Sequence, residues 1–174
     1  MTATGRGDDD AAGVEPDGDA DEPNGAPRVR PVVGGRSAAR ERALHLLYES
    51  EMTGAAPPEV LAGQVVAADH YTETLMQGVH DNAEAIDSLV VELSPRGWAA
   101  ERLAAVDRTI LRLGLFELAH RGDVPTGVVL SEAVELAESY GTDDSPRFVN
   151  GLLAAAARKL RPDEADALDA PDES

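Results

Sequence analysis

Residues 124–153 read as two amphipathic helices with sharply marked ends, joined by an acidic elbow, and this pair sets the fold class of the chain. Pro125 suits a first helical turn, because its φ is fixed and its missing N–H has no partner to lose there. Val129, Ala133, Val134, Leu136 and Ala137 follow at helical spacing, and Gly141 stands where a left-handed C′ residue would end the helix. Ser145 then offers a hydroxyl to the free N–H groups of a new first turn, with Pro146 at N1. Phe148, Val149, Leu152, Leu153 and Ala156 carry the apolar stripe until Arg158, Lys159 and Arg161 complement the negative end of the dipole. Pro162 stops it.

The rest of the chain repeats the pattern. Aromatics are 3% of the residues and no segment alternates apolar and polar side chains for a strand's length, so no sheet is expected. A first helix spans about Ser37 to Met52, with Ala43, Leu44, Leu47 and Tyr48 on one side, ending near Gly54 and the Pro57-Pro58 break. A short helix covers Glu59 to Ala68, and a long central helix keeps an apolar line from Tyr71 through Leu75, Val79, Ile86 and Leu89 to Ser94. After the Pro95–Gly97 turn, Trp98 to Ala104 is short, whereas Val106 to Leu118 is apolar on more than one side and belongs in the core. The expectation is an all-α domain of about seven helices. Asn150-Gly151, inside an apolar helical pattern, reads as a site of close helix packing.

At 174 residues the chain is long enough for one domain, and its ends shorten that further. Residues 1–35 hold eight acids, three bases and almost no large apolar side chain, so they read as a disordered acidic tail. Residues 162–174 hold six acids and no base and read the same way, which leaves 36–161 as the helical domain. These tails supply most of the net charge of −18, so the low pI of the whole chain does not bear on whether arginines cluster locally for an anionic partner. There is no cysteine, and no apolar run approaches the ~18 residues of a membrane span. With no basic start followed by an apolar stretch either, the expected location is the cytoplasm.

Candidate chemistry is sparse. His45, His70, His80 and His120 lack metal-ligand spacing, no carboxylate pair sits in a recognisable motif, and no glycine-rich phosphate loop or serine elbow appears. No enzyme, metal or cofactor is therefore expected. Arg36, Arg40 and Arg42 open the first helix, and at about 100° per residue Arg36 and Arg40 prolong the stripe of Ala43 and Leu47. Guanidiniums on that azimuth face either a phosphate-bearing partner or neighbouring acids. At the elbow, Arg147 is a cation at the unfavourable end of a helix beside Asp143 and Asp144, and Phe148 is either core or a base-stacking face.

The segments ARERALHLLYE (39–49), DRTILRLGLFEL (107–118), DVP (123–125) and SEAVELAESYGTDDSPRFVNGLL (131–153) together resemble the NusB family of bacterial transcription antitermination factors, across essentially all of 36–161. The resemblance implies a compact fold of two helical subdomains, no catalytic activity, and pairing with NusE, a small-subunit ribosomal protein. The pair would bind the single-stranded boxA element of ribosomal RNA leader transcripts within the RNA polymerase antitermination complex. Matched position by position, it implies an RNA surface of Arg36, Arg40, Arg42, Asp144, Arg147 and Phe148, and a NusE surface including Tyr48 and Asp107. Ser37, Ala38 and Ala39 interrupt a cluster that is denser in some members, and Asp107 is shorter than the Glu found in others. A protein-only scaffold, assembling as a homodimer through the Tyr48 edge, is the alternative; an appended methyltransferase domain has no room after Pro162.

Overall fold

Several helix ends have a local cause in the sequence. The computed structural model describes residues 35–94 and 103–169. Among these there are eight helices and no strand: α1 (Arg36–Thr53), α2 (Pro57–Ala62), α3 (His70–Asp81), α4 (Ala83–Leu93), α5 (Ala105–His120), α6 (Thr126–Tyr140), α7 (Ser145–Leu160) and α8 (Pro162–Asp169). Gly54, at φ 73°, ends α1 in the left-handed region and returns its N–H to the Ser50 carbonyl. The Glu59 carboxylate accepts from the Ala56 N–H ahead of α2, and the Asp69 carboxylate accepts from the Tyr71 and Thr72 N–H groups to start α3.

α5 is the axle of the fold. Ile110, Leu111, Leu113, Leu115, Phe116 and Leu118 are all buried, so the helix is apolar around most of its circumference, as its sequence requires. It packs against α1 and α3 on one side, α6 and α7 on another, and α4. The group α1–α3 and the group α6–α8 thus share one continuous apolar core through α5. No described helix is long and apolar enough to cross a membrane.

Several sequence expectations change, among them the short helix read at Glu59–Ala68, which is α2 and ends at Ala62. The long helix from Tyr71 is two, α3 and α4, because Asn82 leaves helical geometry and turns its side-chain amide onto the Gly78 carbonyl at 2.8 Å. Gly141 is extended rather than left-handed, with φ −91° and ψ −166°. What it supplies is space, since a Cβ there would lie 2.5 Å from the Ser145 Cβ and 2.7 Å from the Ala137 carbonyl. Ser145 does not cap α7; it is buried within its first turn and accepts from the Thr142 N–H at 2.9 Å, cross-linking the elbow. Gly151 faces open space rather than a packed helix. The short helix read at Trp98–Ala104 lies largely outside the described residues.

At the other end, Pro162 opens α8 where the sequence reading has a tail begin. Glu164 accepts from the Thr126 N–H at 3.0 Å and from its hydroxyl at 2.6 Å, so the short helix caps α6 from outside, and Ala165 is buried.

Candidate nucleic-acid interface

The arginines that open α1 have three different fates. Arg36 is half exposed and donates from Nη2 to the Asp123 carboxylate at 2.7 Å. Arg40, one turn on, is 3% exposed and turned inward. Its Nε and Nη2 meet both oxygens of the equally buried Glu117 at 2.8–3.1 Å, and its Nη1 stands 3.5 Å from Glu132. Arg42 donates to the carbonyls of Val66 and Ala67 and fixes the loop ahead of α3. Of the three, then, Arg36 alone is exposed, and the expectation that Arg40 faces a partner is corrected by its buried acid. The azimuth argument put Arg40 on the apolar stripe correctly; the acid waiting there, Glu117, sits on α5, which is buried around most of its circumference.

Tyr71 ties this end together. Its hydroxyl donates to Glu117, and its ring lies 4.9 Å from the Arg36 guanidinium, 5.6 Å from that of Arg40 and 5.1 Å from that of Arg121. Burial, then the hydrogen bond to Glu117 and its charge, push the Tyr71 phenol up to about 12. Arg121 also grips Asp123, Nε at 2.9 Å and Nη2 at 3.0 Å. The hydrogen bonds from Arg121 and Arg36 hold the Asp123 carboxyl well below the usual range. Tyr71, Arg121 and Asp123 are not among the candidates the sequence offers; no local spacing joins positions 36, 71 and 121.

Ahead of the elbow before α7, Tyr140 reaches α1. This residue, the last of α6, donates its hydroxyl to Glu41 and sets its ring edge-on to His45 with centroids 5.0 Å apart. Glu41 is five residues after Arg36, about 7.5 Å along the helix. Asp144 and Arg147 are exposed, and Arg147 has no acid or acceptor bound to it among the described residues. Phe148 is half-buried against the core, which leaves part of its ring uncovered.

The positions expected to meet a protein lie elsewhere. Tyr48 is 40% exposed and Met52 is exposed one turn later on α1. Asp107, in the first turn of α5, is 8% exposed and its Oδ1 has no hydrogen-bond partner. The two helices are linked beside these residues by Glu51, which accepts from Arg108 and Arg112; Arg112 also pairs with Asp87. A cleft of about 850 Å³ opens along this seam, lined by Glu51, Asp87, Val91, Glu92, Arg108 and Arg112. No trio of His, Cys, Asp or Glu among the described residues could hold a metal ion.

Comparison with known proteins agrees with the all-helical fold. The chain matches the NusB family over residues 37–158. It is 47% identical over 131 residues to the transcription antitermination protein NusB of Saccharopolyspora erythraea, covering 72% of this chain and 88% of that protein. The protein of the same name from Kineococcus radiotolerans is 43% identical over 126 residues, covering 70% and 92%. Among solved structures, T. maritima NusB superposes with a TM-score of 0.66 at 30% identity over 76% of this chain and 97% of its own. The antitermination factors NusB and NusE in complex with double-stranded RNA give 0.61 at 28% identity, covering 71% and 96%.

Proposed function

The chain belongs to the NusB family, and from that premise we propose that it acts without catalysis as a transcription antitermination factor, binding boxA RNA of ribosomal RNA leader transcripts together with NusE. The observations that support this best are two exposed cations, Arg36 at the start of α1 and Arg147 in the first turn of α7, together with the partly exposed rings of Tyr140 and Phe148. Single-stranded RNA asks for that combination, phosphate neutralisation plus faces on which bases stack. On this reading Arg36, Arg147 and Phe148 touch RNA, Asp144 shapes the elbow, Arg42 orders the adjoining loop, and Arg40 positions α1 from inside. NusE docks on the seam where Tyr48 and Met52 are exposed on α1 beside the first turn of α5 that carries Asp107. The complex then accompanies RNA polymerase past terminators in the cytoplasm.

Binding of a boxA oligonucleotide and of a scrambled one, with and without NusE, tests the proposal. Preference for boxA that strengthens when NusE is added is the expected result. Equal binding of both sequences at every salt concentration, with NusE present, would remove the assignment.

A further inference from the structure

Arg36 and Arg121 arrive from the start of α1 and the end of α5, yet converge on one carboxylate and one ring. Asp123 accepts from both, at 2.7 Å from Arg36 and at 2.9 and 3.0 Å from Arg121, and both guanidiniums stand about equally far from Tyr71, at 4.9 and 5.1 Å. Two like charges held side by side repel, and here they are held by a half-exposed carboxylate and by a ring whose hydroxyl is anchored on buried Glu117. Their hydrogen-bonding capacity is not spent: Nε and Nη1 of Arg36 and Nη1 of Arg121 meet no acceptor among the described residues. The cluster therefore ends at the surface in two cations against one anion, with free N–H donors. Guanidiniums that fork onto a carboxylate offer the same geometry to a phosphodiester.

We propose that Arg36, Arg121 and Tyr71 form a phosphate-binding fork for the RNA backbone, in which Asp123 keeps the two guanidiniums together in the free protein and its charge restrains their grip. The inference rests on the RNA-binding reading above and adds to it Arg121 as a contact and Asp123 as an attenuator. Arg40 stays outside the fork, because its contacts with Glu117 are all buried.

The test measures binding of boxA and scrambled oligonucleotides by the full-length chain with NusE across a salt series, for the wild type, Arg121→Gln, Arg121→Lys and Asp123→Asn. A parallel measurement follows NusE binding and the thermal transition of each variant. Arg121→Gln is expected to weaken binding of both RNAs about threefold near physiological salt. It should also make the slope of log affinity against log salt shallower by about 0.7, the share of one phosphate contact on a single strand. Arg121→Lys should keep the slope while losing part of the affinity, and Asp123→Asn should tighten binding. A folded Arg121→Gln protein with wild-type affinity and slope overturns the fork, and weaker binding by Asp123→Asn overturns the attenuating role. Loss of NusE binding with RNA slope intact would assign the fork to an acidic side chain of the partner instead. If the wild type does not distinguish boxA from scrambled RNA, the sequence-specific function fails while the slope comparison still decides the fork. No measurable binding to either RNA overturns both.

Discussion

Arg36 and Arg40 share an azimuth of α1, one turn apart, and differ in what lies opposite. Arg40 is removed from water and repaid by two oxygens of Glu117, so taking away either partner leaves an uncompensated charge in the interior. Arg40→Ala should cost about 3–5 kcal/mol in urea unfolding. Replacing the pair together, Arg40→Met with Glu117→Leu, should recover most of that loss, and a pair variant as unstable as Arg40→Ala would mean that the site depends on something other than charge pairing. The pair variant should also keep most of its RNA affinity, since neither side chain reaches the surface. Tyr71 gives a second check. Its folded value, about 12, lies above the ordinary 10 of an unfolded tyrosine, so the stability it contributes is fully present below pH 10 and is lost as pH rises from there through 12. Tyr140 shifts the same way, through burial and Glu41. The thermal transition should therefore fall between about pH 10 and 12 in the wild type. It should fall less in Tyr71→Phe with Tyr140→Phe; an identical fall in both proteins would show that these phenols are not the groups responsible. The stripe position of Arg40 was legible from periodicity, whereas its partner was not, because Glu117 is one acid among apolar neighbours and its pairing spans separate helices.

Helix ends carry the next level of the argument. The basic residues closing α7 read as complements to its dipole, and Arg161 does more than that. Its guanidinium donates to the carbonyls of Glu117, Leu118, Arg121 and Val124 at 2.7–2.9 Å, gathering the end of α5 and the approach to α6 around the end of α7. This also fixes the backbone on which Arg121 and Asp123 sit. Arg161→Ala should lower stability by about 3 kcal/mol, because several carbonyls lose a charged donor in a partly buried site. Arg161→Lys should rescue only part, since one ammonium cannot serve carbonyls spread around a planar fork. Full rescue by lysine, seen in the same denaturation experiment, would reduce the residue to a dipole charge. At the elbow, Gly141→Ala places a methyl against Ser145 and the Ala137 carbonyl, and about 1–3 kcal/mol of overpacking is expected. Its RNA affinity should fall with its stability, as the turn that carries Asp144 and Arg147 shifts. Both ends of α6 and α7 were placed within a residue or two from proline, serine and glycine alone. The reasons at Gly141 and Ser145 were misread, because steric closeness across a turn leaves no periodic trace in sequence.

At the scale of the whole molecule the puzzle is how a chain with a net charge of −18 would serve an anionic ligand. The arrangement of charge answers it. Eight of the acids lie in residues 1–35 and six in residues 162–174, while inside the helical domain acids are consumed by arginines: Glu51 by Arg108 and Arg112, Asp87 by Arg112, Glu117 and Glu132 by Arg40. Outside those pairs, α1 and the elbow carry Arg42 and Arg147 beside Glu41, Glu49, Asp143 and Asp144, so the local excess of positive charge is confined to Arg36 and Arg121 around Asp123, and repulsion from the rest acts only as far as salt permits. Screening lengths shrink from about 30 Å at 0.01 M to about 8 Å at 0.15 M and about 3 Å at 1 M. Deleting residues 1–34 removes five net negative charges. The deletion should tighten RNA binding at low salt, and the gain should disappear as the screening length falls below the dimensions of the domain. Titrating the shortened and complete chains with one RNA, at low and at high salt, separates this from a direct contact: a gain that persists at high salt would mean that residues 1–34 occupy the arginine face itself, and no gain at low salt would mean that their charge is spent away from it.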